Sequence, residues 1–123
     1  MYFKKMLTPL LVFGAMLFAS ATSAQSTDIT NSTTLDYYYI VYITDGVNYQ
    51  NTGQVPIGAQ STDNYTPPSG WSVVAVRVVP PCTGLVGTVT PTVTSGTVDD
   101  CSGSTNNLQW SSPNPTTVDV EIY

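Results

Sequence analysis

Few side chains in this sequence can do chemistry, and their spacing suits structure better than catalysis. Beyond residue 24 the chain holds no histidine, no lysine and a single arginine, Arg77. Nucleophilic or general acid–base catalysis needs a nucleophile and a base within hydrogen-bond reach of each other. The remaining carboxylates and hydroxyls show no spacing that suggests such a pair. The two cysteines, Cys82 and Cys101, are too far apart for a redox Cys-x-x-Cys motif and lack the further ligands a zinc site requires. In an exported chain they read as one disulfide. The sequence therefore predicts a protein that is not an enzyme, with no catalytic residue, cofactor or metal.

Other polar groupings fit structural roles as well. Asp99-Asp100 and Asp63-Asn64 offer oxygen ligands to a hard ion such as calcium. No Asp-x-Asp-x-Asp-Gly loop accompanies them, and Asp and Asn recur in turns for backbone reasons. Asp119 and Glu121 share a strand face, whereas a glycosidase opposes two carboxylates across a cleft. Thr88, Thr90, Thr92 and Thr94 form one row of equal parity, interrupted by Pro91, which is thin support for an ice-binding face. Asn31-Ser32-Thr33 and Asn64-Tyr65-Thr66 match the glycosylation pattern, but the leader ahead of them is bacterial in character, so both read as chance.

The grouping that best suits a ligand is aromatic. Asp45-Gly46 is a two-residue hairpin signal, and a turn there pairs Tyr42 with Tyr49 on one face. The opposite face then sets Tyr37 and Tyr39 beside Asn48, Gln50 and Thr52, with Trp71 and Trp110 as extensions. Sugars stack their C–H faces on flat rings and hydrogen-bond to amides, so this face is the candidate glycan platform. The Tyr42–Tyr49 face is the expected core.

These residues must be carried by strands. Beyond the leader no helical periodicity occurs, whereas alternation and turn residues do. Leu35 to Thr44 is the strongest strand, apolar on both faces and hence central. Val47 to Val55 is its hairpin partner, and Pro56 to Gly70 reads as loop. In Trp71 to Val79, residues Val74, Val76 and Val78 face one way and Trp71, Ala75 and Arg77 the other. Leu85 to Thr94 is a strand or two short ones. Leu108 to Ser111 is brief, and Val118, Val120 and Ile122 alternate with Asp119, Glu121 and Tyr123. The expected fold is all-β, a small antiparallel sandwich, Ig-like or related, of about six to eight strands.

The first 24 residues have the form of a secretory signal peptide, with Lys4 and Lys5, an apolar run from Leu10 to Ala19 and small residues to Ala24. They predict a secreted, cell-surface or periplasmic protein. Residues 25–34 read as a polar lead-in, either flexible or a weak edge strand, and 35–123 as one domain. Loss of both lysines with the leader makes the formal charge of −5 two units more negative. Such a chain cannot neutralise a row of phosphates, so nucleic acid is not a partner. No later segment is long and apolar enough to span a membrane. The expected function is a surface-assembly or matrix subunit that self-associates, and the alternative is a monomeric carbohydrate-binding module. Strand addition by the lead-in to a neighbour's sheet is one assembly route, although Ile29 is its only apolar anchor.

Overall fold

A computed structural model describes residues 25–123, so the signal peptide expected over 1–24 lies outside the described residues. The described part is all-β, with ten strands and no helix. They are β1 (Ser26–Asn31), β2 (Tyr37–Thr44), β3 (Tyr49–Asn51), β4 (Val55–Ile57), β5 (Ser61–Tyr65), β6 (Ser72–Val79), β7 (Gly87–Val89), β8 (Ser95–Asp99), β9 (Thr105–Asn114) and β10 (Thr117–Ile122). One five-stranded sheet, sheet A, runs β5-β1-β10-β9-β8. The other, sheet B, runs β3-β2-β6-β7, with β4 sharing the β3 edge of β2. All pairings are antiparallel except β1 with β10. The strand count exceeds the expected range because segments 55–57 and 61–65, expected as loop from Pro56 onward, pair at sheet edges.

The core lies between the sheets. Tyr37, Tyr39, Val41 and Ile43 of β2, with Val76, Val78 and Val89, meet Ile29, Val98, Leu108, Trp110, Val118, Val120 and Ile122 from sheet A. The period-two pattern of β10 is realised as anticipated, with Val118, Val120 and Ile122 buried. In β6 a bulge opposite Tyr42 and Ile43 inserts Val74 as the unpaired residue. A bulge shifts the parity of its strand, so Val73, rather than Val74, joins Val76 and Val78 inside. Gly87 of β7 lies tight against sheet A, where a Cβ would strike the Thr97 carbonyl and the Leu108 side chain.

Two expectations are corrected. Segment 25–34 is neither a flexible lead-in nor an edge strand: β1 is an inner strand, paired to β10 on one side and β5 on the other. Adding it to a neighbour's sheet would first require unpairing it here. Its composition looked polar because Ser26, Asp28 and Thr30 face outward, while two of its three buried positions, Thr27 and Asn31, are polar. Asn31 acts as a buried connector. Its Nδ2 donates to the carbonyls of Leu35 at 2.7 Å and Gly58 at 3.1 Å, and its Oδ1 accepts from the Thr33 amide at 3.0 Å. That burial also removes Asn31 as a glycosylation acceptor.

The second correction concerns the hairpin. Thr44 pairs with Tyr49 and Tyr42 with Asn51, so Asp45–Asn48 forms a wider loop than a two-residue turn. Asp45 Oδ1 accepts from the amides of Val47 at 2.9 Å and Asn48 at 2.7 Å, an Asx-type closure. These bonds hold the Asp45 carboxyl below its usual range.

Thr27 Oγ1 is buried without a hydrogen-bond partner. An unsatisfied buried hydroxyl carries its desolvation cost with no return. Thr27→Val keeps the β-branched shape and is expected to stabilise the fold by about 1 kcal/mol, read as a higher urea midpoint at unchanged slope. An unchanged or lower midpoint would mean that the hydroxyl is satisfied in solution.

The disulfide joins Cys82 to Cys101 across a Cα separation of 5.9 Å. It links the β6–β7 loop of sheet B to the β8–β9 loop of sheet A, outside the core. Closing a loop of about 20 residues contributes about 3 kcal/mol in the chain-entropy model.

Candidate functional site

The expected glycan platform is not assembled. Tyr37 is 1% exposed and Tyr39 5%, both in the core. Tyr37 Oη donates to the Asp99 carbonyl at 2.9 Å and accepts from Asn106 Nδ2 at 2.8 Å. Tyr39 Oη donates to Asp63 Oδ2 at 3.0 Å. Trp110 is buried and Trp71 half-buried against the core, whereas Asn48 and Gln50 are exposed. Thr52 serves the backbone, its Oγ1 accepting from the Val41 amide at 3.1 Å. The rings thus lie inside and the amides outside. In a strand apolar on both faces, parity is decided by which face the second sheet covers, and hairpin chemistry is silent on that.

Burial, with the Asp63 hydrogen bond and charge adding to it, pushes the Tyr39 hydroxyl up to about 12. An unfolded tyrosine titrates near 10. The stability from keeping Tyr39 protonated is therefore fully present below pH ~10 and lost as pH rises through ~12. The wild-type urea midpoint is expected to fall over that window, and that of Tyr39→Phe to fall less. Parallel curves would mean that the hydroxyl is neither buried nor bonded to Asp63 in solution.

The remaining polar candidates resolve into structural roles. Asp99 Oδ1 accepts from the Cys101 amide, and Asp100 Oδ1 from the amides of Ser102 and Ser104 and from Ser102 Oγ. The Ser102 bonds lead in lowering the Asp100 pKa. Cys82, Asp99 and Cys101 cluster within 4.8 Å, but the two sulfurs are bonded to each other, which leaves a single ligand. The threonine row is broken, since Thr88 lies on β7 of sheet B and the chain then turns through Thr90, whose Oγ1 accepts from the Val93 amide, toward sheet A.

The two outward faces of the sandwich differ sharply in chemistry. On sheet B, Tyr38 lies between Pro56 and Val79, and Ile40 beside Arg77. Tyr42 lies between Asn51 and Ala75, and Thr44 between Tyr49 and Ser72. Tyr49 is 75% exposed and Tyr38 37%. The strands of sheet B hold no carboxylate, and their single charge is Arg77. Its guanidinium carbon lies 5.7 Å from the Tyr42 ring centroid, within cation–π range. The result is an aromatic and aliphatic surface with one cation on it.

Sheet A is polar across its outward face. Asp28 lies between Asn64 and Asp119, and Thr30 between Thr62 and Glu121. Ser111 and Gln109 flank Asp119 and Glu121 on the other side. These side chains, Asn64 excepted, line a shallow concavity of about 440 Å³. Asn64 Nδ2 donates to Asp28 at 2.8 Å and Ser32 Oγ to Glu121 at 2.9 Å. Directly paired carboxylates such as Asp28 and Asp119 repel, and Arg77, the only lysine or arginine among the described residues, lies on the opposite sheet. Sequence reasoning had Asp119 and Glu121 but missed Asp28, because the strand carrying it was read as a lead-in. Among the described residues, no helix is long and apolar enough to cross a membrane. No protein-family model matches this chain, and no curated protein matches its sequence.

Proposed function

We propose that this protein is an exported, non-enzymatic structural subunit that assembles into a surface fibre or matrix. The observation that carries this reading is the uncovered outward face of sheet B, where Tyr38, Ile40, Tyr42 and Val79 surround a single charge. Contiguous apolar surface on a small domain commonly marks a contact with another macromolecule. Export is read from the leader-like residues 1–24 and fits the disulfide. The absence of catalysis is read from a chain without histidine and, among the described residues, without a free cysteine. The test is light scattering and negative-stain imaging of the oxidised, processed protein. Filaments or a defined large assembly support the reading. A monomer with the ~13 Å radius of gyration of a 100-residue domain overturns it.

A second reading, a carbohydrate-binding module, is favoured by the exposure of Tyr49 and Tyr38 on that same face. It now rests on Tyr38, Tyr42 and Tyr49, not on Tyr37 and Tyr39. It predicts glycan-array binding by the monomer that is lost in Tyr38→Ala and Tyr49→Ala.

A further inference from the structure

We propose that the outward face of sheet B docks a second copy of this chain, which presents the outward face of its sheet A. The proposal rests on the assembly reading above and names its contact. The two faces complement each other in charge. Sheet B offers Arg77, an exposed guanidinium with no carboxylate on any strand of its own sheet. Sheet A offers Asp28, Asp119 and Glu121 around a concavity, with no cation on any of its strands. A guanidinium matches a carboxylate in planar, bidentate geometry and is weakly hydrated, which suits it to an interface.

One arginine does not neutralise three carboxylates, and buried charge without partners is costly. The surplus acceptors need donors, and sheet B provides them in the phenol groups of Tyr38 and Tyr42 beside Arg77. The incoming copy's Thr30, Thr62, Ser111 and Gln109 add hydrogen-bonding capacity from the concavity itself. Pairing two sheet B faces would bring two arginines together with no acid between them. Pairing two sheet A faces would oppose six carboxylates, three from each copy. Only the unlike pairing sets a cation against the carboxylates.

Because the two surfaces lie on opposite sides of one sandwich, the contact is heterologous and leaves a free face at each end. Such contacts extend into open linear stacks when the rotation does not close. With packed sheets about 10 Å apart, each copy adds two layers, giving an axial repeat of about 20 Å.

The test uses two variants, each altered on one outward face. Arg77→Ala removes the cation of sheet B. The triple variant Asp28→Asn, Asp119→Asn, Glu121→Gln neutralises sheet A. Near-UV circular dichroism and thermal unfolding first confirm that both keep the fold. At a concentration where the wild type forms long assemblies, each variant alone is expected to sediment as a monomer. An equimolar mixture is expected to sediment as a dimer and no further, because each variant still carries the face that the other lacks. If the wild type assembles and either variant assembles equally well, or the mixture gives no dimer, this contact is wrong while the assembly reading stands. A wild type that remains monomeric overturns both.

Discussion

Deletion of residues 25–31 is expected to leave a chain that does not fold. Strand β1 is paired on both sides, with Ser26 to Asn31 against β10 and Thr27 to Asn31 against β5. Without it, β10 loses a neighbour and presents unpaired N–H and C=O groups beside the core, while β5 loses its only sheet partner. The loss includes fully buried Ile29, worth about 1.5–3 kcal/mol of apolar burial. It also includes the Asn31 bonds that hold Leu35 and Gly58, each net favourable by roughly 1 kcal/mol. The ladder to both neighbours goes with them. Domains of this size are stable by only about 5–15 kcal/mol, so the combined loss exhausts the margin. The measurement is far-UV circular dichroism and amide dispersion in a proton–nitrogen spectrum. Dispersed amides and a cooperative unfolding transition in the truncated chain would mean that β1 is peripheral in solution. If residues 25–34 supplied as a peptide restored the dispersion, the site left by β1 would be shown to be specific.

That expectation reverses the reading of the same segment from sequence, and the reason is instructive. Alternation is legible when the inward residues are aliphatic, as Val118, Val120 and Ile122 are in β10. In β1 the inward residues are Thr27, Ile29 and Asn31. Two of them are polar, so hydropathy sees a lead-in. What makes Asn31 an interior residue is a set of carbonyls contributed by Leu35 and Gly58, which no local window contains. The parallel partnership with β10 is equally non-local, joining residues about as far apart as the described chain allows. The disulfide was legible for the opposite reason: a sequence with two cysteines admits one intramolecular pairing. The acidic face was half legible. Asp119 and Glu121 were visible on their strand, but Asp28 reached them only through the topology.

The parity of β2 marks the other limit. Tyr37 to Ile43 alternates between two faces that are both apolar, so pattern identifies a central strand without saying which face is covered. The Asp45 loop would not have settled it either, since the expected and observed registers place the same residues on each face and differ only in their partners. The choice is made by sheet A, whose valines and leucine cover the odd-numbered side. The exposed tyrosines of sheet B are consequently Tyr38 and Tyr49, with Tyr42 half-buried between them, and every functional reading of these rings moves to the opposite side of the strand.

Adjacent alanine substitutions expose this parity most directly, because neighbours on one strand should differ severalfold in effect. Tyr37→Ala removes a ring that is 1% exposed. Large-to-small changes of a buried aromatic cost about 3–5 kcal/mol. The phenol adds to this, since its loss strands the Asp99 carbonyl and the Asn106 amide group that it joins. In a domain near 100 residues 1 kcal/mol shifts Tm by roughly 4–8 °C. Tyr37→Ala should therefore lower Tm by about 15 °C or more, or abolish folding at ambient temperature. Tyr37→Phe, which keeps the ring and removes only the hydroxyl, is expected to cost about 1 kcal/mol. Tyr38→Ala acts on the outward face, where strand preference and contact with Pro56 and Val79 are at stake, and should cost less than about 1 kcal/mol. Thermal and urea unfolding of the three variants decide the matter. The order Tyr37→Ala, then Tyr37→Phe, with Tyr38→Ala no worse than the latter, places the core on the odd-numbered face. A reversed order would return Tyr37 to the surface and with it the glycan platform built on Tyr37 and Tyr39. Tyr38→Ala carries a second readout, because a residue that scarcely affects stability yet weakens assembly identifies sheet B's outward face as a contact surface independently of any charge substitution.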